Sequence, residues 1–468
     1  MQISSLIQGK RILGKISNKN ISPIDGSEIS QSNFLVEQDL IEVFQKAKQT
    51  NHKEKKIDYL ELIKLSEFFK QNHLKFTEQI IKDSGFIRED AEDLVNCSIE
   101  FCEYYSQHLK ELFKGDVVTT FTYLNNSKQK IRLTSSPYGL IAATTPRNTP
   151  LITELTIIVH ALWSGNSLVL RPSPGVAGTV NLLIQGLIKC FTKETLAKLN
   201  IVFADAKEFV SASLDHSNLL HYVGSTKYLE NTLIAGIKKG VKVLLDGDGC
   251  SMVIVDSTAN IEEAVMACYK GLIRCNGQIC ISVRVILVEQ SIYQEFSSKF
   301  LNFVKNTKVG KPGSKKGVSM GPLFSSFQTE RIKEVTQKYK TLYIKSDLPE
   351  GSNYISPVVV ELSPSDNNFL KESLFGPIVG IASFKGDGWK KWLEENKINL
   401  TDALFSKDKK FIKEFLSVSK SPRRVINTDP TIESVFEPWG AFLPSGWNDV
   451  SYWYYKYQNY YQLVRGKK

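Results

Sequence analysis

The residues of this chain best suited to chemistry lie in one short loop, Arg274-Cys275-Asn276-Gly277-Gln278-Ile279-Cys280-Ile281-Ser282. The loop is polar, contains glycine, and falls between a helix-like run over 262–272 and a β-branched strand pattern over 283–288. A thiol at such a junction, near a helix end and backbone amides, can have its pKa lowered and act as a nucleophile. Cys280 is the candidate. The same residue type also serves as a small buried apolar side chain, and loop composition leaves both readings open. Cys275 is either a resolving partner for such a thiol or a packed thiol without a role. The seven cysteines (Cys97, Cys102, Cys190, Cys250, Cys268, Cys275, Cys280) are odd in number, sparse and free of any C-x-x-C. Neither a disulfide framework nor a zinc knuckle is expected, and free thiols in a reducing compartment are.

The loop needs a scaffold, and periodicity predicts one. From Glu37 to about Phe113 apolar residues recur three and four apart (Leu60, Ile63, Leu65, Phe68 and Phe69, later Leu94, Phe101, Tyr105, Leu109 and Leu112), which predicts three or more helices. Residues 117–133 read as an exposed hairpin turning at Asn125-Asn126-Ser127. From Gly139 the pattern alternates: strand 140–143, helix 151–163, strand 167–170, helix 179–191, strand 199–202, and on to strand 219–223. Such alternation implies a parallel sheet covered on both faces, and hence an α/β fold. A second α/β section runs from Val253 to about Ile426, and the tail is rich in aromatics: Tyr452-Trp-Tyr-Tyr455, Tyr457, Tyr460-Tyr461.

The 468 residues suggest two or three domains, and 42% hydrophobic with 23% charged residues is ordinary globular composition. Disorder and fibre formation are excluded. The excess of ten positive charges, 59 Lys and Arg against 49 Asp and Glu, is mixed with acids, as in Lys53-Glu54-Lys55-Lys56-Ile57-Asp58. It forms no basic stripe, so no nucleic-acid partner is expected. The N-terminus has no signal-peptide core, and no run approaches eighteen apolar residues. The expectation is a cytoplasmic protein without membrane contact.

Several segments, in order, resemble motifs of the aldehyde dehydrogenase superfamily. Gly277-Gln-Ile-Cys280 is similar to its G-Q-x-C nucleophile segment, and 136–150 (SPYGLIAATTPRNTP) to its P-x-G-V…P-W-N-x-P segment. Ser164-Gly-Asn-Ser-Leu-Val-Leu-Arg-Pro172 resembles A-G-N-x-V-V-x-K-P, and Val223-Gly-Ser-Thr226 resembles F-T-G-S-T. Met320-Gly-Pro-Leu323, Phe375-Gly-Pro377 and Pro438-Trp-Gly440 with Ser445-Gly446 complete the series. The resemblance covers nearly the whole chain. It implies that Cys280 attacks an aldehyde, that Asn148 and the Cys280 backbone N–H hold the oxyanion, and that hydride passes to NAD or NADP. It also implies a cofactor site drawn from Thr145, Pro146, Arg147, Arg171, Ser173, Gly224, Ser225, Ser373 and Phe375.

Departures from the family pattern are as informative. Leu229 stands at the third glycine of the family's G-S-T-x-x-G. Arg171 replaces its ribose-binding lysine, with Pro174 where an acid is common, which suits a 2′-phosphate. Ser373, with Glu372 beside it, stands where the nicotinamide-ribose glutamate normally lies. Upstream of the thiol, Asp246 in 243–250 (VLLDGDGC) falls nearest the glutamate that activates the deacylating water. This stretch can hold a base, resemble the loop of CoA-acylating and acyl-phosphate-reducing branches, or be a plain strand-end turn.

The expectation is an NAD(P)-dependent aldehyde dehydrogenase. The alternatives are a CoA-acylating aldehyde dehydrogenase or acyl-CoA or acyl-phosphate reductase, and a catalytically weak scaffold or cofactor-binding protein of the same fold. Expected domains are a Rossmann-like cofactor domain (1–116 and 136–247), an α/β catalytic domain (248–446) and a β oligomerisation element (117–135 and 447–468). The resemblance implies a homodimer or homotetramer and an aldehyde or activated acyl substrate.

Overall fold

Short apolar strands without polar alternation must be buried on both faces, and those of the first half of the chain are. In the computed structural model, which describes residues 1–50, 57–112, 117–122, 128–313, 317–363, 366–372 and 374–467, five parallel strands run in the order Lys242–Asp246, Leu219–Val223, Leu140–Thr144, Ser167–Arg171, Leu199–Ile201. Alternate residues of one strand go to opposite faces. Ile141 and Ala143 pack with Leu155, Ile158 and Leu183 of helices Ile152–Trp163 and Ala177–Cys190. Leu140 and Ala142 pack with Phe44, Phe209 and Leu229 of helices Glu37–Gln49, Ala206–His216 and Leu229–Lys239. The helical expectation for the N-terminal third holds as four helices, Glu37–Gln49, Tyr59–Gln71, His73–Ser84 and Arg88–Leu112.

A second sheet is built around Ser251–Val255, parallel to Val283–Glu289 on one side and Thr401–Phe405 on the other, and extends through Ile378–Phe384, Val358–Glu361 and Arg423–Ile426. The chain passes from the first sheet to the second through the four residues Gly247 to Cys250. The segment with Asp246 and Asp248 is therefore the crossing between the sheets.

The aromatic tail, expected as a whole in the β oligomerisation element, is divided. Gly446–Ser451 pairs antiparallel with Lys242–Asp246 and carries Trp439–Ala441 on its outer side, so both belong to the first sheet. Trp453–Lys456 is a short helix whose rings turn inward, with Tyr454 and Tyr457 buried. Only Gln458–Lys467 joins the three-stranded sheet with Lys128–Pro137 and Val117–Thr122. The bulk of Trp453, Tyr454 and Tyr457 explains the split, because such rings gain more in a core than on an edge strand. The expected hairpin turn at Asn125-Asn126-Ser127 lies outside the described residues. Among the described residues, no helix is long and apolar enough to cross a membrane.

The loop that carries Cys280 begins with an unusual backbone. Cys275, Asn276 and Gly277 adopt φ of 49°, 59° and 69° in succession. The first two are not glycine, and each pays steric strain of about 1–2 kcal/mol for a left-handed conformation. Neighbouring groups hold it. Cys275 N–H donates to Asp90 Oδ2 at 2.9 Å. The buried Asn276 amide donates to Gly85 O and Pro322 O and accepts from Gly321 N–H, all within 3.0 Å. Arg284, 2% exposed, donates to Gly277 O and Gly376 O, both at 2.7 Å. A Cβ on Gly277 would stand 2.6 Å from the Gly376 carbonyl carbon. Gly277→Ala therefore combines a clash with a positive φ. It is expected to lower the apparent melting temperature by a few degrees, on the order of 2–4 °C per kcal/mol of added strain, and an unchanged melting curve in differential scanning fluorimetry contradicts this account of the turn.

Candidate active site

Where the two sheets meet, a cavity of about 740 Å³ opens. Of the residues expected at the site, Cys280, Asn148, Asp246, Pro146, Arg147, Gly224, Ser225 and Phe375 border it. Thr145, Arg171 and Ser173 do not, and Ser373 lies outside the described residues.

Cys280 reaches the cavity from a loop stacked on the crossing segment, since a Cβ on Gly249 would lie 2.5 Å from Cys280 O. The Gln278 side chain ties the loop to the opposite wall by accepting from Phe324 N–H at 2.9 Å. Burial pushes the Cys280 thiol well above its ordinary value, and Glu433, Asp246 and Asp248 push in the same direction, Glu433 most strongly. The sulfur is thus a thiol at neutral pH until a reaction partner changes its surroundings.

Asn148 sits between Thr145 and the helix Ile152–Trp163, on a loop closed by Glu154. The Glu154 carboxyl accepts from Thr145 Oγ at 2.5 Å and from Leu151 N–H at 2.8 Å, and burial raises it to about 7. Thr145 is thereby committed to holding the loop. Asn148 is 5% exposed, and among the described residues its amide oxygen has no hydrogen-bond partner. A buried amide oxygen without a partner at a cavity wall is costly unless a ligand donates to it.

Arg147 borders the cavity, but its guanidinium is engaged by the protein. It donates to Asp83 O through two nitrogens and lies 4.9 Å over the Phe324 ring. Burial lowers its pKa to about 10. Glu372 is likewise engaged, in ion pairs with Arg331 and Lys338.

Asp246 is surrounded by donors. Trp439 Nε1 and Asn448 Nδ2 donate to Oδ1 at 2.8 and 2.9 Å, and His221 Nε2 donates to Oδ2 at 2.8 Å. The Tyr457 hydroxyl completes the chain at 2.6 Å from His221 Nδ1, and Trp453 stacks on the same imidazole at 4.8 Å. Burial alone would raise the Asp246 carboxyl, but the bonds from His221 and Asn448 and the nearby Lys456 ammonium outweigh it and hold it below the usual carboxylate range. His221, Trp439, Trp453 and Tyr457 escaped the sequence reading as a site. One signal was available: His221 is a polar residue inside an apolar strand, three positions before Gly224.

The groups available to a dinucleotide cluster at the carboxyl ends of the first sheet's strands, where open α/β sheets bind ligands. Gly224 and Ser225 border the cavity just before the helix Leu229–Lys239, whose first-turn amides suit an anion. In the turn Thr226–Tyr228 that leads into this helix, Asp248 accepts from Thr226 N–H at 3.1 Å while its own N–H donates to Thr226 Oγ1. Leu229 does not obstruct the turn: it is 1% exposed in the core, where Gly247 makes room for it, since a Cβ there would stand 2.8 Å from Leu229 Cδ1. Arg171 ends strand Ser167–Arg171 and donates through Nε to Ala204 O at 3.1 Å. Among the described residues its terminal nitrogens have no partner, so the set fits a phosphate-bearing nicotinamide dinucleotide.

Known proteins resemble the chain in sequence and fold. A D-glyceraldehyde dehydrogenase (NADP(+)) of Picrophilus torridus is 28% identical over 367 residues, covering 75% of this chain and 72% of that protein. The crystal structure of an NADP-dependent enzyme of E. coli matches the fold with a TM-score of 0.92 at 17% identity, covering 100% and 98% of the two chains. An NAD-dependent aldehyde dehydrogenase of Sinorhizobium meliloti matches with 0.90 at 17% identity, covering 100% and 95%. The family model for the aldehyde dehydrogenase family matches residues 14–464, and the chain belongs to that family.

Proposed function

We propose that the chain oxidises an aldehyde to a carboxylic acid, with Cys280 as nucleophile and NAD or NADP as cofactor. The observation that carries this reading is the shared cavity: Cys280 and Asn148 border it together with Gly224 and Ser225. Cys280 Sγ bonds to the aldehyde carbon as its proton passes to solvent water, the carbon–oxygen π bond breaks, and the oxygen becomes an oxyanion. The Asn148 amide N–H and the Cys280 backbone N–H stabilise that oxyanion. A nicotinamide bound beside them supplies the hydride acceptor. What remains on Cys280 is a thioester, to be released by an acceptor. Arg171, and not the engaged Arg147, contacts the adenosine end of the cofactor, with Gly224 and Ser225 facing the pyrophosphate.

The engagement of Asp246 by three donors favours a second reading in which CoA, not water, takes the acyl group. Nicotinamide absorbance followed with an aldehyde panel, with and without CoA, separates the two: turnover without CoA supports the hydrolytic enzyme, and strict CoA dependence supports the acylating one. We further propose a cofactor unit on the first sheet, a catalytic unit on the second, and a homodimer or homotetramer through the sheet of Val117–Thr122, Lys128–Pro137 and Gln458–Lys467. The seven unpaired thiols support a reducing, cytoplasmic location.

Cys280→Ala is expected to abolish turnover, and residual steady-state activity in that variant contradicts the nucleophile assignment. Because burial raises the Cys280 thiol, its alkylation by iodoacetamide in the free enzyme should rise about tenfold per pH unit from roughly pH 7 to 9; a plateau near neutrality contradicts this. Arg171→Ala should weaken NADP binding by about tenfold or more, on the order of 1.4 kcal/mol, and NAD binding by less, read by quenching of protein fluorescence. Equal losses for the two dinucleotides would remove Arg171 from phosphate recognition.

A further inference from the structure

Release of the acyl group to water needs a group that takes a proton from that water, and Asp246 is engaged by three donors. Of the other carboxylates that border the same cavity as Cys280, Asp90, Asp93, Asp248 and Glu437 are held by hydrogen bonds or ion pairs, which leaves Glu433, in the segment that follows strand Arg423–Ile426. Both of its flanks are anchored. Thr431 donates to Asp429 through N–H and Oγ1 at 2.8 and 2.6 Å and accepts from Arg274. Ser434 N–H donates to Glu437 Oε1 at 3.1 Å. The Glu433 side chain itself is open to the cavity and has no hydrogen bond or ion pair among the described residues.

We propose that Glu433 is the general base for deacylation, activating the water that releases the acyl group from Cys280. Its carboxylate accepts a proton as the water oxygen bonds to the thioester carbon. Collapse of the tetrahedral adduct breaks the carbon–sulfur bond, and the departing sulfur regains the proton from Glu433. Thioester and water become carboxylic acid and thiol, with no oxidant or reductant required.

Electrostatics support the geometry. Of the carboxylates acting on the Cys280 thiol, Glu433 acts ahead of Asp246 and Asp248. The groups facing Glu433 are Arg423 from the preceding strand, Glu437 from its own segment, Cys97 from helix Arg88–Leu112, and Cys280. Neighbouring protein raises the Glu433 carboxyl above its ordinary value, Glu437 adding to the rise and Arg423 opposing it, while the side chain keeps an exposed face toward the cavity. A carboxylate raised above its ordinary value takes a proton from water more readily than one held below it. Asp246, held ionised by its donors, is a weaker base in a fixed role.

The proposal rests on Cys280 carrying the acyl group, and p-nitrophenyl acetate tests both without any nicotinamide. The native enzyme should show a burst of p-nitrophenolate as Cys280 is acetylated, then steady release that rises with pH as Glu433 ionises and levels off, with a midpoint above that of an ordinary carboxylate. Glu433→Gln should keep the burst, lose the pH-dependent limb, and slow steady release by roughly 10²-fold or more, with the acetyl-enzyme persisting in intact mass spectra. Glu433→Ala should regain steady release when formate is added, which also guards against a folding defect. Steady release by Glu433→Gln at the native rate overturns the proposal, as does loss of its burst, a rise in KM alone, or absence of formate rescue. A native-like burst in Cys280→Ala would instead overturn the underlying reading of Cys280.

Discussion

Cys275, Asn276 and Gly277 form a left-handed turn that is strained at its two side-chain-bearing residues and needs outside support. Everything at the site depends on that turn. It brings the loop off the end of helix Ile261–Ile273 and aims Cys280 into the space between the sheets. Its stability comes from distant parts of the chain: Asp90 on an N-terminal helix, Gly321 and Pro322 in a loop, and Arg284 on the following strand. Because Arg284 also holds Gly376, the nucleophile loop and the Phe375-Gly-Pro377 segment are fixed by one guanidinium. Strain of this kind persists only where surrounding structure over-determines it, and it concentrates at reacting centres.

The departures from the family pattern form compensated pairs. Leu229 and Gly247 exchange bulk across a strand–helix junction, so the core stays filled and the turn at Gly224 stays clear. Asp246 is shorter than the family glutamate and lies in a buried network with His221, Trp439, Asn448 and Tyr457. A buried carboxylate must be satisfied by hydrogen bonds or neutralised, and the aromatic tail supplies part of that shell. The tail therefore has two tasks: its first half closes the site, and its last strand extends the three-stranded sheet.

The fold was legible in the sequence where a single periodicity decided it. The buried strands 140–143 and 167–170, the helices between them and the helical N-terminal third follow from spacing alone. Cys280 and Asn148 became legible only through motif order, since the residue types fit a packed thiol and an ordinary turn equally well. The engagement of Arg147, the inward turn of Trp453 and Tyr457, and the place of Glu433 were not legible. Each depends on which side chains from remote segments meet, and neither spacing nor composition carries that. Arg147 shows the point: its place in the motif suited a cofactor site, but the carbonyl of Asp83 and the ring of Phe324 reach it first.

The account stands on one thiol among seven. Rapid mixing of enzyme, an aldehyde and the oxidised nicotinamide dinucleotide, acid quench within the first turnover, and peptide mass spectrometry will locate the acyl group. The account predicts a single acyl adduct, on Cys280, with Cys275 and Cys97 unmodified. An adduct on either of those residues, or none while reduced nicotinamide accumulates, would contradict it.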